Sequence, residues 1–149
     1  KAHTSDTIVA TDSATAVAAS VASTAGIALA GAGAIATNVI LTSTDAHIDA
    51  SRISAARDVT VQAKNTSAIT STVAAVAVAV GGGGTVGAGV SIGASAARNY
   101  IGHDQTGALQ SAGTLAWTRD TAIQASGALK LDALASELIT AEVKAGSLP

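Results

Sequence analysis

Cysteine, phenylalanine and methionine are absent from this 149-residue chain, and tyrosine, tryptophan and proline occur once each, as Tyr100, Trp117 and Pro149. Without cysteine there can be no disulfide and no thiolate metal site, though the compartment is left open. The near absence of aromatics bears more directly on the fold. Compact globules rely on a few large side chains, each of which buries a wide apolar area. Here hydrophobic residues make up 48% of the chain, yet alanine alone supplies about a quarter of all positions. A chain that buries mainly Ala, Val and Gly must bring its backbones close together over long distances. That requirement favours a regular, layered or stacked architecture over an irregular globule. Charge is also scarce, at 12% with a net value of -2. No basic stripe interleaved with aromatics is present, so nucleic acid is not an expected partner.

The few charges come in blocks. None occurs from Ser13 to Thr44, and none from Asn65 to Ala97. This spacing suggests an internal repeat of long period. "IVATDSATAVA" (Ile8 to Ala18) aligns with "VQAKNTSAITS" (Val61 to Ser71), "TNVILTSTDAHI" (Thr37 to Ile48) with "RNYIGHDQTGAL" (Arg98 to Leu109), and "RDVTVQA" (Arg57 to Ala63) with "RDTAIQA" (Arg119 to Ala125). The shift grows along the chain, which places extra residues of the second copy around Gly81 to Gly84. Copy one is expected over approximately 8–60 and copy two over approximately 61–125, with 126–149 beginning a further rung or forming a cap. The termini carry neither an initiator Met nor a signal peptide, so the chain reads as an internal piece of a longer protein.

Inside both uncharged blocks the period is two. Val17, Val21, Ile27, Leu29, Ile35, Val39 and Leu41 share one parity, with Ala, Ser, Thr and Gly on the other. In the second block Val76, Val78, Val80, Val86, Val90 and Ile92 alternate with Ala77, Ala79, Gly87, Gly89, Ser91 and Gly93. Such alternation separates large and small side chains onto opposite faces of a strand. The β-branched residues favour strand, and the dense glycine opposes the helix that so much alanine could otherwise support. The polar segments read as short strands between Gly and Asp turns: Leu115 with Trp117, Ala122 with Ile123, and Leu129 with Leu131. The fold class expected is all-β, a parallel β-solenoid (β-helix-like) repeat segment with long Ala/Gly/Val strands. Val, Ile and Leu would point inward in ladders, and the small faces would let neighbouring layers pack closely.

Val59, Val61, Ala63, Asn65, Ala68 and Ile69, followed by Gly81 to Gly93 and then Asn99 and Ile101, form a recurring pattern, matched more loosely by Asp12, Ala14, Gly31, Gly33, Asn38 and Ile40. The pattern resembles the long repeats of giant secreted bacterial β-strand-repeat adhesins, of the filamentous haemagglutinin-like and leukotoxin types. The resemblance implies a non-catalytic structural repeat of an extracellular adhesin stalk or filament at the bacterial cell surface, serving attachment or self-association. It implies as partners neighbouring repeats of the same chain or identical chains, and in addition host or cell-surface glycans. It implies no catalytic residue, metal or cofactor. One departure is "NYIGHDQTGALQSAGTLAW", longer and more irregular than the first copy's "NVILTSTDAHIDA". A silk- or amyloid-like fibre and a carbohydrate-binding or carbohydrate-processing β-helix are the alternative readings.

Each candidate site in the sequence also has a plainer role. The Gly81–Gly84 run follows a strand, as a phosphate loop would, but no Lys accompanies it and the sequence continues as strand, so turning or close packing is expected. Ser71 to Ala97 exceeds the ~20 residues a membrane helix needs. It lacks Leu, Phe, an aromatic belt and basic flanks, so no membrane insertion is expected. Asp45, His47 and Asp49 would share one strand face, the geometry of a carboxylate–imidazole site, and equally that of any solvated face; His103–Asp104 is a similar pair. Trp117 and Tyr100 are potential contact points, with a core or capping role the plainer reading for Trp117.

Overall fold

The computed structural model describes all residues, 1–149, and is all-β. Nine strands follow in order: β1 (Ala2–Ala22), β2 (Ala25–Ile40), β3 (Thr44–Asp49), β4 (Arg52–Ala55), β5 (Val59–Gly83), β6 (Val86–Ile101), β7 (Thr114–Arg119), β8 (Ala122–Ala125) and β9 (Leu129–Leu148). They form four sheets, of order β1-β5-β9, β2-β6, β3-β7 and β4-β8. Each strand thus pairs with one four places away in sequence. The run β1–β4 is repeated by β5–β8, and β9 starts the run again. Pairing is parallel in β3–β7 and β4–β8, with Thr44 opposite Thr114 and Arg52 opposite Ala122.

The pairing gives the true register of the repeat. Along β2 and β6, partners lie 61 apart: the Asn38 side chain meets Asn99, and next to these strands the Thr24 carbonyl accepts from the Thr85 hydroxyl. In the short strands partners lie 70 apart. The extra residues therefore do not sit at Gly81–Gly84. They lie in the segment 102–113, which joins β6 to β7 where three residues suffice between β2 and β3. The alignment of Arg57–Ala63 with Arg119–Ala125 slips by eight positions from the pairing in the sheet, because it carries the shift of the long strands past this insertion. The irregular "GHDQTGALQSAG" (Gly102 to Gly113) is that insertion.

By contacts the chain divides into two compact units. One comprises Lys1–Thr7, Val39–Ala68 and Tyr100–Ile139, and the other Ile8–Asn38, Ile69–Asn99 and Thr140–Pro149.

The second unit holds most of the uncharged blocks, and here the expected orientation of the strands is reversed. The interior is small: Ala28, Ala30, Ala77 and Ala79 form one cluster, and Ala34, Ala36, Val73 and Ala75 another, joined by Ala14, Ala18, Ala32 and Ala97 at the margins. The large side chains face out, with Val21 90% exposed, Ile27 72% and Leu29 71%. The cause is the distance between facing backbones. Strands β5 and β6 belong to different sheets and double back at Gly84–Thr85. A methyl group at Gly81 would strike the Ala88 carbonyl, and one at Gly89 the Ala79 carbonyl; Gly83 faces Val86 and Gly26 faces Gly82 in the same way. Near this turn no valine or isoleucine fits so narrow a gap, so most β-branched residues of the blocks stand outside, and larger buried side chains, Ile69 and Val73, occur only farther along β5. The polar groups inside are few. Asn38 Nδ2 donates to Asn99 Oδ1 at 2.8 Å, and Ser71 Oγ is buried without a partner.

The first unit contains the short strands. Its core is Ala46, Val61 and Ala63 with Ala2, Ile48 and Ala116. Thr44 Oγ1 of β3 donates to Thr4 Oγ1 of β1 at 2.9 Å, and Thr42 Oγ1 donates to the Asp6 carboxylate of β1, while within β5 Ser67 Oγ donates to Asn65 Oδ1 at 2.8 Å. The corners between short strands are equivalent in the two copies. Ala50 (φ 45°) and Asp120 (φ 47°), 70 residues apart, both adopt the left-handed conformation.

Candidate functional site

Strands β3 and β7 each alternate one side chain inward and one outward. Thr44 and Ala46 are buried, so Asp45, His47 and Asp49 emerge on the outer face. The register sets Leu115 beside Asp45, Trp117 beside His47 and Arg119 beside Asp49. The one tryptophan of the chain is thereby joined to the carboxylate–imidazole row, a combination that the sequence reading kept apart.

The two rings stack, with centroids 4.6 Å apart and planes 7° from parallel. Arg119 lies over the indole at 5.3 Å and binds the Asp49 carboxylate through two nitrogens, Nε–Oδ1 at 3.0 Å and a second, Nη2–Oδ2 contact. A planar guanidinium suits both roles, pairing in the plane with a carboxylate while its face rests on an aromatic ring. The bond from Arg119 holds the Asp49 carboxyl below its ordinary range, and the same contact raises Arg119. His47 Nδ1 lies 3.5 Å from Asp45 Oδ1.

This arrangement suits binding better than catalysis. Asp49 is held as an ionised partner of Arg119, which is unlike a general acid or base poised near neutral pH. Asp45 and His47 approach each other, whereas the Asp49 carboxylate is turned to Arg119. No group of three His, Asp or Glu side chains is close enough to hold a metal.

The other candidate residues fall elsewhere. Gly81 to Gly83 end β5, Gly84–Thr85 form the turn, and Val86 opens a strand, so no helix N-terminus follows for a phosphate. His103 and Asp104 lie in the 102–113 loop. His103 Nδ1 is 3.2 Å from the Ile101 carbonyl, whereas Asp104 accepts from Thr106 N and Oγ1, Ala108 N and Gln110 Nε2. These bonds, the Thr106 hydroxyl foremost, lower the Asp104 pKa. Asp104 is therefore the organiser of a loop. Tyr100 lies half-buried near the end of β6. No helix of the chain is long and apolar enough to cross a membrane.

A cavity of about 120 Å³ lies beside the loop, lined in part by Ile40, Thr42, Asn65, Ile101, Thr114 and Glu137. Thr114 Oγ1 is buried there without a hydrogen-bond partner. It was not legible in the sequence, because its lining comes from five separate stretches of chain.

Set against protein-family models, curated proteins and solved structures, the chain matches none.

Proposed function

We propose that the chain is a non-catalytic structural repeat of an extracellular bacterial adhesin stalk or filament, built as a parallel β-solenoid and serving cell-surface attachment or self-association. The observation that supports this most is the pairing of β1–β4 with β5–β8 in the same order, strand upon strand. Pairing of this kind leaves β1 to β4 unpaired along one edge of the four sheets. It leaves β6 to β9 unpaired along the other. Exposed strand edges are templates for further pairing, and in a stacked array each coil covers its neighbour's edge. Stacking would also supply the apolar contact that a core of alanine and glycine provides only sparingly.

Tandem fusions of the chain test this reading. If coils stack, each added copy lengthens the particle by roughly 10 Å, two strand spacings, in electron micrographs. The denaturation midpoint rises with copy number as interfaces accumulate. Fusions that unfold at an unchanged midpoint, as independent beads, overturn it.

A second reading, glycan recognition, draws on the outer face of β3–β7. There a stacked aromatic pair is ringed by Asp45, Asp49 and Arg119. Such a patch offers an apolar plane for the C–H face of a sugar and charged groups for its hydroxyls. Titration of Trp117 fluorescence with oligosaccharides tests it, and an emission spectrum that no sugar perturbs sinks it.

A further inference from the structure

Gly31 and Gly33 stand on the outer face of β2, and neither the backbone nor the fold's interior calls for glycine there. Neither has the left-handed φ that glycine serves. The nearest atom to a Cβ at Gly31 would be the Ile92 carbonyl oxygen at 3.9 Å, and at Gly33 the Ala94 carbonyl oxygen at 3.8 Å, both ordinary contacts. These two glycines differ from Gly81, Gly83, Gly87 and Gly89, which the packing of facing strands requires. Glycine in a strand interior weakens it, by about 0.5–1 kcal/mol relative to alanine.

The same contacts fix which side chains share a row across β2 and β6. Gly31 lies beside Ile92 and Gly33 beside Ala94, so strand periodicity sets Leu29 beside Val90 and Ile35 beside Ala96. The outer face therefore has a ridge at Leu29 and Val90. Two rows further on it has a hollow of about 330 Å³, lined by Gly33, Ala34, Ile35, Ala94, Ser95 and Ala96. The face carries no charge between Ile27 and Ile35 or between Val86 and Ala96.

We infer that this face of β2 and β6 takes a second copy of this chain, packed face to face across a two-fold axis near Gly31 and Ile92. The two-fold exchanges the rows on either side of the axis. The Leu29–Val90 ridge of each copy then enters the Gly33–Ala94 hollow of the other, and Ile27 meets Ile35. An isologous interface needs this self-complementarity, in which a residue and its partner trade places between copies. The area is of the right size. Ile27, Leu29, Ile35, Val86, Val90 and Ile92 are 50–72% exposed. At on the order of 100 Å² of apolar area for each, they and the Ala and Gly between them approach the roughly 800 Å² that one partner buries in a stable interface. The inference rests on the self-association part of the proposed function and assigns it a surface distinct from the strand edges.

Sedimentation velocity of the purified chain over a wide concentration range tests it, with Leu29→Lys, which charges the ridge, and Gly33→Val, which fills the hollow. Both positions point outward, so circular dichroism should report an unchanged fold. The expected result is a monomer–dimer equilibrium that each substitution weakens by roughly tenfold or more. Because the chain has no cysteine, mixing a Leu29→Cys chain with a Gly33→Cys chain under oxidising conditions should yield mainly the mixed disulfide. A chain that stays monomeric overturns the proposal, as does a dimer that both substitutions leave intact. Binding of the monomer to phosphatidylcholine–phosphatidylglycerol vesicles, lost in Leu29→Lys, also overturns it, because the occupant is then lipid. None of these outcomes bears on whether tandem copies stack edge to edge.

Discussion

His47 and Trp117, seventy positions apart in the chain, stack ring on ring at 4.6 Å because β3 and β7 run parallel and in register. The contact couples the two copies of the repeat on their outer surface. A double-mutant cycle with His47→Ala and Trp117→Ala should return a coupling energy of about 0.5–1.5 kcal/mol, the range of stacked aromatic pairs. Trp117 is the only indole, so its emission reports the contact directly, and His47→Ala should alter it without unfolding the chain. Additive substitutions and an unmoved spectrum would mean that the stack has no energetic role.

The Asp49–Arg119 pair gives the acid limb of stability a definite sign. The Arg119 guanidinium lowers the Asp49 pKa, bonds from Thr106 and its neighbours lower that of Asp104, and the Gln62 amide with the Lys130 charge lowers that of Asp132. Each carboxylate binds its proton more weakly folded than unfolded. Its contribution is thus fully present above the unfolded value of about 4 and is lost as pH falls through the lower folded values. Denaturant midpoints should be flat from neutrality to about pH 5 and drop below that. Asp49→Asn should make the drop shallower. All three groups are solvent-exposed, so the effect of any single one is small. An unchanged acid slope in Asp49→Asn would remove the pair as a contributor.

Ala79 is fully buried where β5 faces Gly89, whereas Val76, three residues earlier, stands on the outer face at 39% exposure. The sizes are opposite to those of an ordinary amphipathic strand, and the consequences of substitution should be opposite too. Ala79→Val overpacks the gap and should cost about 1–3 kcal/mol. Val76→Ala should change stability by less than about 0.5 kcal/mol. A urea titration of both variants decides the matter. Equal losses would mean that the large and small faces share the burden of the core.

Period two was legible along the chain because Val and Ile alternate with Ala and Gly in both blocks, and it fixes strand and parity. It does not say which parity faces in. Size normally decides that, but here the gap between facing backbones does, and the gap is a property of two sheets, invisible in either strand alone. The register of the repeat was half legible. Thr37–Ile48 against Arg98–Leu109 gives the shift of the long strands, but carried onward it sets His47 opposite Ala108 and misses Trp117. The insertion 102–113 was visible as an irregular stretch, but its bounds were not, since Gly102, Gly107 and Gly113 resemble the many other glycines. Asp45, His47 and Asp49 could be placed on one face from spacing alone. The addition of Leu115, Trp117 and Arg119 needed the corrected register.

Ala50 and Asp120 hold equivalent corners in the left-handed region, at φ 45° and 47°. Aspartate tolerates that conformation better than alanine does, because a short polar side chain can bond locally; alanine incurs a penalty of about 1–2 kcal/mol. Ala50→Gly or Ala50→Asn should therefore stabilise the chain, by about 0.5–1 kcal/mol once the greater freedom of the unfolded glycine variant is subtracted. Thermal midpoints should rise for both. A fall for both would mean that the Ala50 methyl group makes a contact worth more than the strain.

The loop 102–113 should be removable. Its ends are fixed independently of its interior: Gly102 N donates to the Ile40 carbonyl at 3.0 Å, and Thr44 N donates to the Gly113 carbonyl at 2.8 Å. Both bonds tie the loop's ends to the end of β2 and the start of β3. Within the loop, Asp104 gathers Thr106, Ala108 and Gln110 around its carboxylate, so most of the loop's order is its own. Replacing the segment by the three residues Leu41–Ser43 shortens the connection about fourfold, which lowers the closure entropy by roughly 1 kcal/mol and offsets the lost loop contacts. The shortened chain should fold with a midpoint close to that of the parent. Asp104→Ala in the full chain should raise proteolytic cleavage within the loop while leaving global unfolding unchanged. Failure of the shortened chain to fold would instead make the loop part of the core, with the neighbouring cavity as the contact it fills.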